Sequence, residues 1–191
     1  MIWDYDVMMH GTWDANAYNV LNNNAVNEIA RYIDAGKGVL GGHDTIGFRM
    51  GTTLGLSKIA DKFNIKRGKW QGVNQNGYDI NKTWAYISRK IKITKKGFLT
   101  QFPWSLGPVG TVLRVPESHT AVNVATGNTW MEYVDTEAYD RLGLAYLKKE
   151  NFENAPKTPE YNYKYYLTTW NNTAMIQTGH SMGQSTEDER K

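Results

Sequence analysis

Near the C-terminus the apolar run Ala174-Met175-Ile176 passes through Gln177-Thr178 into Gly179-His180-Ser181-Met182-Gly183. Those last five residues fit G-x-S-x-G, the strand-to-helix elbow that exposes a nucleophilic serine. Two earlier segments share the pattern of a short apolar run ending at a glycine-framed histidine. Asp6-Val7-Met8-Met9 leads into His10-Gly11-Thr12-Trp13-Asp14, and Gly38-Val39-Leu40 leads into Gly41-Gly42-His43-Asp44-Thr45. In open α/β sheets, ligands bind beyond the carboxyl ends of parallel strands. If these runs are parallel neighbours, His10, His43 and His180 converge on one edge. Each histidine alone also reads as a loop residue hydrogen-bonded to backbone. Three of the chain's four histidines in the same setting point to a shared cleft, bordered by His10, Trp13, Asp14, His43, Asp44, Thr45, His180 and Ser181.

Such a cleft admits three chemistries. His43, Asp44 and His180 suit a divalent ion, although none has the i, i+4 helical spacing of a strong zinc motif. The plainer alternative is that Asp44 caps a turn. No cofactor is expected beyond that possible divalent metal. A sugar or polyol is the second option, because Trp13, Trp104, Trp130 and Trp170 offer flat apolar faces and Asn, Gln and Asp offer directional hydrogen bonds. Against it, β-rich cores also use aromatics heavily. The third is serine hydrolysis at Ser181. In the α/β-hydrolase order the acid and the histidine follow the serine, yet only ten residues follow Ser181 and none is histidine. Ser181 or Ser185 reads equally well as a helix N-cap.

The 191 residues are enough for one domain with a real core, and 40% hydrophobic content with a net charge of +3 describes an ordinary globular chain. Absence of cysteine removes disulfides, thiolate metal sites and every cysteine nucleophile. No apolar run approaches the roughly 18 residues of a membrane span, so no membrane insertion by this segment is expected. Nor is a signal peptide expected in this segment. It opens on strand-like Trp3 to Val7 and stops inside a helical turn at Ser185 to Lys191, so it reads as truncated at both ends. Basic residues gather between Lys58 and Lys96, but Arg89 to Lys95 alternates with period two, as a strand with one solvated face does. Nucleic acid is therefore not an expected partner.

The cleft requires elements to hold it. Residues 4–42 read as a βαβ unit, its helix running from Asn22 to Ala35 with an apolar stripe of Val26, Ile29, Ala30 and Ile33 and Gly36 as its stop. A second helix is predicted from Leu54 to Phe63. Residues 67–160 change texture to short alternating strands (Trp84 to Ile93, Gly110 to Val115, Asn128 to Val134), a β-rich insertion or antiparallel extension. Residues 136–149 read as helix, and Tyr161 to Leu167 and Thr173 to Thr178 return to strand. The whole forms a single α/β domain, residues 1–191.

The chain also resembles the class I glutamine amidotransferase-like superfamily. Tyr5 to Gly11 resembles the early strand and its oxyanion loop. Leu40 to Thr45 resembles the nucleophile strand, with His43 where the catalytic cysteine would stand. Ala174 to His180 is similar to the terminal strand with its catalytic histidine. Within the superfamily, the resemblance is to degenerate, trehalose-utilisation-like relatives and to an uncharacterised domain of large bacterial surface proteins. Gly11 to Asn16, Gly38 to Thr45, Lys95 to Trp104, Pro116 to Thr120 and Asn171 to Glu189 carry it. The resemblance implies a mainly parallel central sheet of flavodoxin-like type with a β-rich insertion, and an extracellular or cell-surface setting. It further implies other domains of the same polypeptide as partners. A histidine cannot form the thioester that amidotransfer needs, so a nucleophile-less pseudoenzyme is expected, serving as a ligand-binding or structural module for a small molecule or carbohydrate. The alternative is a hydrolase, using the serine elbow at Ser181 or a metal on His43, Asp44 and His180.

Overall fold

The structure is a computed structural model and describes residues 1–11, 21–43, 45–46, 55–66, 87–119, 124–134, 164–178 and 185–190. Its strands are β1 (Val7–His10), β2 (Gly38–Gly41), β3 (Ile65–Lys66), β4 (Ile87–Ile93), β5 (Val112–His119), β6 (Val124–Ala125), β7 (Asn128–Val134), β8 (Tyr165–Trp170) and β9 (Thr173–Ile176). Helix α1 spans Asn23–Asp34, a short α2 spans Phe98–Gln101, and a 3-10 segment covers Gly55–Phe63.

Helix α1 forms where its apolar stripe can be buried. Asn22 caps it, its side-chain oxygen accepting from the Ala25 N–H at 2.9 Å, a contact worth about 1 kcal/mol. Val26, Ile29, Tyr32 and Ile33 are buried, each contributing about 1.5–3 kcal/mol. Tyr32 widens the stripe beyond the expected aliphatics, because its hydroxyl can donate to the Tyr5 carbonyl at 2.8 Å. Gly36 follows at φ +85, the left-handed stop. The stripe packs with Val39 of β2, Met175 of β9 and Leu56, Ile59 and Phe63 of the 3-10 segment. Where a regular helix from Leu54 was expected, that segment is 3-10 and kinks at Ile59.

Seven strands form one sheet in the order β1-β2-β9-β8-β7-β4-β5, and β3 pairs with β6 separately. β1, β2 and β9 are parallel neighbours, so the three glycine-terminated runs do share one layer. Every other pairing in the sheet is antiparallel. The mainly parallel, flavodoxin-like sheet is therefore wrong: strand exceeds helix, 37% against 28%, and the sheet is mixed and curled into a half-barrel. The reason lies in the connections. Asn171-Asn172 alone joins β8 to β9, and Asn171 takes φ +47 in that turn. A two-residue link permits only an antiparallel pair, since a parallel crossover needs a dozen residues or more. Strands β4, β5 and β7 accordingly extend the same sheet beyond β8.

Bulges supply the curl. The β7–β8 ladder skips Trp130 and then Tyr166, and the β4–β5 ladder slips between Ser88 and Lys90, opposite the stretch that holds Pro116. Each extra residue bends its strand and increases the twist. A proline is tolerated there because β5 is an edge strand. The Ser88 hydroxyl patches the slip, accepting from the Lys90 N–H at 2.9 Å and donating to the Val134 carbonyl. As a result the Ser118 hydroxyl of β5 donates to the carbonyl of Gln177, just past β9. Those strands lie four positions apart, roughly 19 Å in a flat sheet. Tyr133 of β7 donates to the same oxygen at 3.2 Å.

Because that oxygen has two donors, either can be lost while the buried carbonyl stays satisfied. Ser118→Ala and Tyr133→Phe should each cost about 1 kcal/mol, whereas the double variant should cost more than their sum by about 1–3 kcal/mol. A double-mutant cycle by urea unfolding checks this; simple additivity would show that the shared oxygen does not couple the strands.

Candidate functional site

At the carboxyl ends of the parallel strands, β1 and β2 approach more closely than side chains allow. The Gly42 N–H donates to the His10 carbonyl at 2.8 Å, and a Cβ on Gly42 would lie 1.7 Å from the Gly11 carbonyl oxygen. Gly11 itself turns at φ +83. Only glycine at position 42 permits this crossing. One residue earlier, a Cβ on Gly41 would meet the Met175 sulfur at 2.8 Å, a milder contact because a side chain rather than backbone would have to move.

Of the expected site residues, the structure places three. His10 ends β1 and is half-buried, and burial holds its imidazole below the ordinary 6.5. His43 is completely buried. Thr45 is also buried, and its hydroxyl donates to the Gly42 carbonyl at 2.7 Å, with the Met175 sulfur 3.6 Å away. That hydroxyl closes the turn after β2, a positioning role for a residue expected to meet ligand. Trp13, Asp14, Asp44, His180 and Ser181 lie outside the described residues, as does the stretch 136–149 expected to be helical. Two of the three candidate metal ligands are among them, and among the described residues no group of three or more His, Asp or Glu side chains could hold a metal ion.

Sequence reasoning passed over Gln177. The rung Gly41–Met175 is the last pairing of β2 with β9, and His43 and Gln177 each stand two residues beyond it. Both are fully buried. The Gln177 main chain is satisfied, its N–H donating to the Tyr166 carbonyl at 2.8 Å and its oxygen accepting from Ser118 and Tyr133. Its side chain is not. Neither the amide nitrogen nor the amide oxygen has a hydrogen-bond partner among the described residues. The polar residue at an inward position of an apolar strand was the available signal: Thr173, Met175 and Gln177 alternate, and all three are buried.

The curl adds neighbours that no linear reading placed here. Tyr166 packs edge-to-face on Tyr133 with ring centroids 5.4 Å apart. Burial pushes its phenol up to about 12, against a lowering hydrogen bond from Thr178, with Glu189 adding to the rise. Of the four tryptophans proposed for sugar stacking, the three that are described sit elsewhere. Trp104 and Trp130 stand near the far end of the sheet with the exposed Trp170, and the Trp130 nitrogen donates to Thr169 at 2.8 Å. The histidines and these aromatic rings do not form one cleft.

No family model, curated protein or solved structure matches this chain.

Two outcomes follow from this geometry. Gly42→Ala should lose at least about 3 kcal/mol, because backbone must move, while Gly36→Ala, with open space around it, should lose about 1 kcal/mol from its positive φ alone. Comparable losses in urea unfolding would mean that the strand crossing is not tight. His10 gives a pH signature. Its folded pKa lies below its unfolded value of 6.5, so the unfolded chain binds the extra proton first. The stability from neutral His10 is present above that value and fades as pH falls through the folded pKa. Between about pH 7 and pH 5 the wild type should therefore lose more stability than His10→Gln; equal slopes would remove His10 as the cause.

Proposed function

We propose that this chain is a non-catalytic binding module whose ligand site lies beyond the carboxyl ends of β1, β2 and β9. One observation carries the reading: the fully buried Gln177 amide with neither end hydrogen-bonded among the described residues. Burying an amide without partners costs about 1–3 kcal/mol by mutational measures. An apolar residue of similar shape would avoid that cost, so the amide's persistence is best explained by a partner that arrives from outside. A primary amide offers two donors and an acceptor side by side. A neutral ligand with adjacent hydroxyls, each able to donate and accept, complements it. His43 and the half-buried His10 stand at the same strand ends. A small polyol or sugar is thus the favoured ligand class, bound by hydrogen bonds rather than by aromatic stacking.

The cell-surface setting and the neighbouring domains of a longer polypeptide rest on the resemblance to amidotransferase-like surface domains. Among the described residues, no helix is long and apolar enough to cross a membrane. The chain contains no cysteine, so the thioester route of glutamine amidotransfer is closed to it.

Gln177→Met tests the reading whichever polyol or sugar is the natural ligand. Removing an unsatisfied buried amide should stabilise the free protein by about 1–2 kcal/mol. It should also abolish any rise in melting temperature that mannitol or glucose produces in the wild type. A destabilised Gln177→Met would mean that the amide already has a structural partner, and the binding proposal would fall.

A further inference from the structure

The opposite pole of the sheet has a different chemistry. β5 runs in the same direction as β9, so the link from β4 to β5, residues 94–111, lies at the end remote from Gln177. It carries an unusual density of exposed apolar side chains. Phe98, Phe102 and Trp104 are 68%, 62% and 69% exposed, and Leu99, Val109 and Val112 are exposed beside them. We propose that this loop is a membrane-docking tip, which rests its aromatic side chains in the headgroup layer of an anionic lipid surface without crossing it.

The loop is built to hold these groups outward. Thr100 is fully buried, accepts from the Gly97 N–H at 3.1 Å and donates back into the loop at Lys95 or Gly97. The Gln101 amide donates to the carbonyls of Thr100 and Gly107 at 2.8 and 3.2 Å, and its oxygen accepts from Ser105. Leu106 and Gly110 tie the loop to Thr100 and to Ile93. Phe98 stacks on Phe102 with centroids 4.9 Å apart. Thr100 and Gln101 thus bond into the loop while the largest apolar side chains stand outward, the reverse of an ordinary solvated loop.

That inversion selects the partner. A sugar needs hydrogen-bonding edges beside the stacking faces, and a protein interface carries about one hydrogen bond per 100–200 Å². Here Thr100 and Gln101 are already committed internally. Side chains that stand proud of the surface need matching cavities in a protein partner, whereas a fluid lipid interface accommodates them, and Trp and Phe favour that layer. Charge agrees. No Asp or Glu occurs from Lys95 through Pro116, while Lys95 and Lys96 open that stretch and Lys96 is exposed; Arg114, farther along β5, has the Asp188 carboxylate beside it. Basic groups beside an apolar tip favour an anionic leaflet.

Sedimentation of the full chain with vesicles tests the proposal. Vesicles of phosphatidylcholine and phosphatidylglycerol in equal parts should pull the protein down, and phosphatidylcholine alone should do so weakly. Phe98→Ser combined with Trp104→Ser should reduce binding by about tenfold or more while melting as the wild type does, since both side chains are exposed. Trp104→Phe should keep the binding but lose most of the vesicle-induced blue shift in fluorescence, and Lys96→Glu should weaken binding to the anionic vesicles alone. A wild type that stays in the supernatant with both vesicle types overturns the proposal, as does undiminished binding by the double serine variant. So does a lipid-free, concentration-dependent dimer that the same variant abolishes, since the patch would then join two copies of the chain.

Discussion

Beyond the β8–β9 ladder that joins the two halves of the sheet, a single main-chain oxygen, that of Gln177, ties them across the curl. It accepts from Ser118 on one edge strand and from Tyr133 near the middle, although the sheet order separates β5 from β9 by three intervening strands. The parallel half brings strand ends suited to ligands, and the antiparallel half wraps until it touches them. Without the bulges at Trp130 and Tyr166 the halves would splay, and Gln177 would lie at an open rim. The curl is thus what brings Ser118 and Tyr133 to its main-chain oxygen.

Parts of this were legible in the sequence because they are local. The stripe of α1 follows from 3.6-residue periodicity, β4 from the alternation of Arg89 to Lys95, and the shared layer of β1, β2 and β9 from three apolar runs of like design. Strand direction was equally local, but its signal was a length rather than a pattern: two residues between Trp170 and Thr173 rule out a crossover. Gln177 was hidden for the opposite reason. Its significance depends on what surrounds it, and Ser118 and Tyr133 are 59 and 44 residues away in sequence. The histidines drew notice by type, and Thr45 by position, yet Thr45 closes a turn.

The molecule separates its chemistry along the strand axis. Glycine-permitted close packing, buried imidazole and the unmatched amide occupy one end. Aromatic rings and lysines occupy the other, where Lys95 lies over the Trp130 ring at 4.8 Å and reaches Asn128 at 2.8 Å. Between them the strands are paired charge to charge, as with Lys92 and Glu132 at 3.1 Å and Arg89 and Glu117 at 3.2 Å. Exposed pairs of this kind add little stability.

Residues 185–190 run beside β5, and at one rung they stand in for a strand. The Arg114 N–H donates to the Asp188 carboxylate at 2.8 Å, and the Arg114 carbonyl accepts from the Thr186 hydroxyl at 2.6 Å. Side chains thus occupy both main-chain groups through which an eighth strand would pair. At that rung the edge of β5 has no main-chain group left to offer another strand, one of the ways in which an edge is kept from pairing onward.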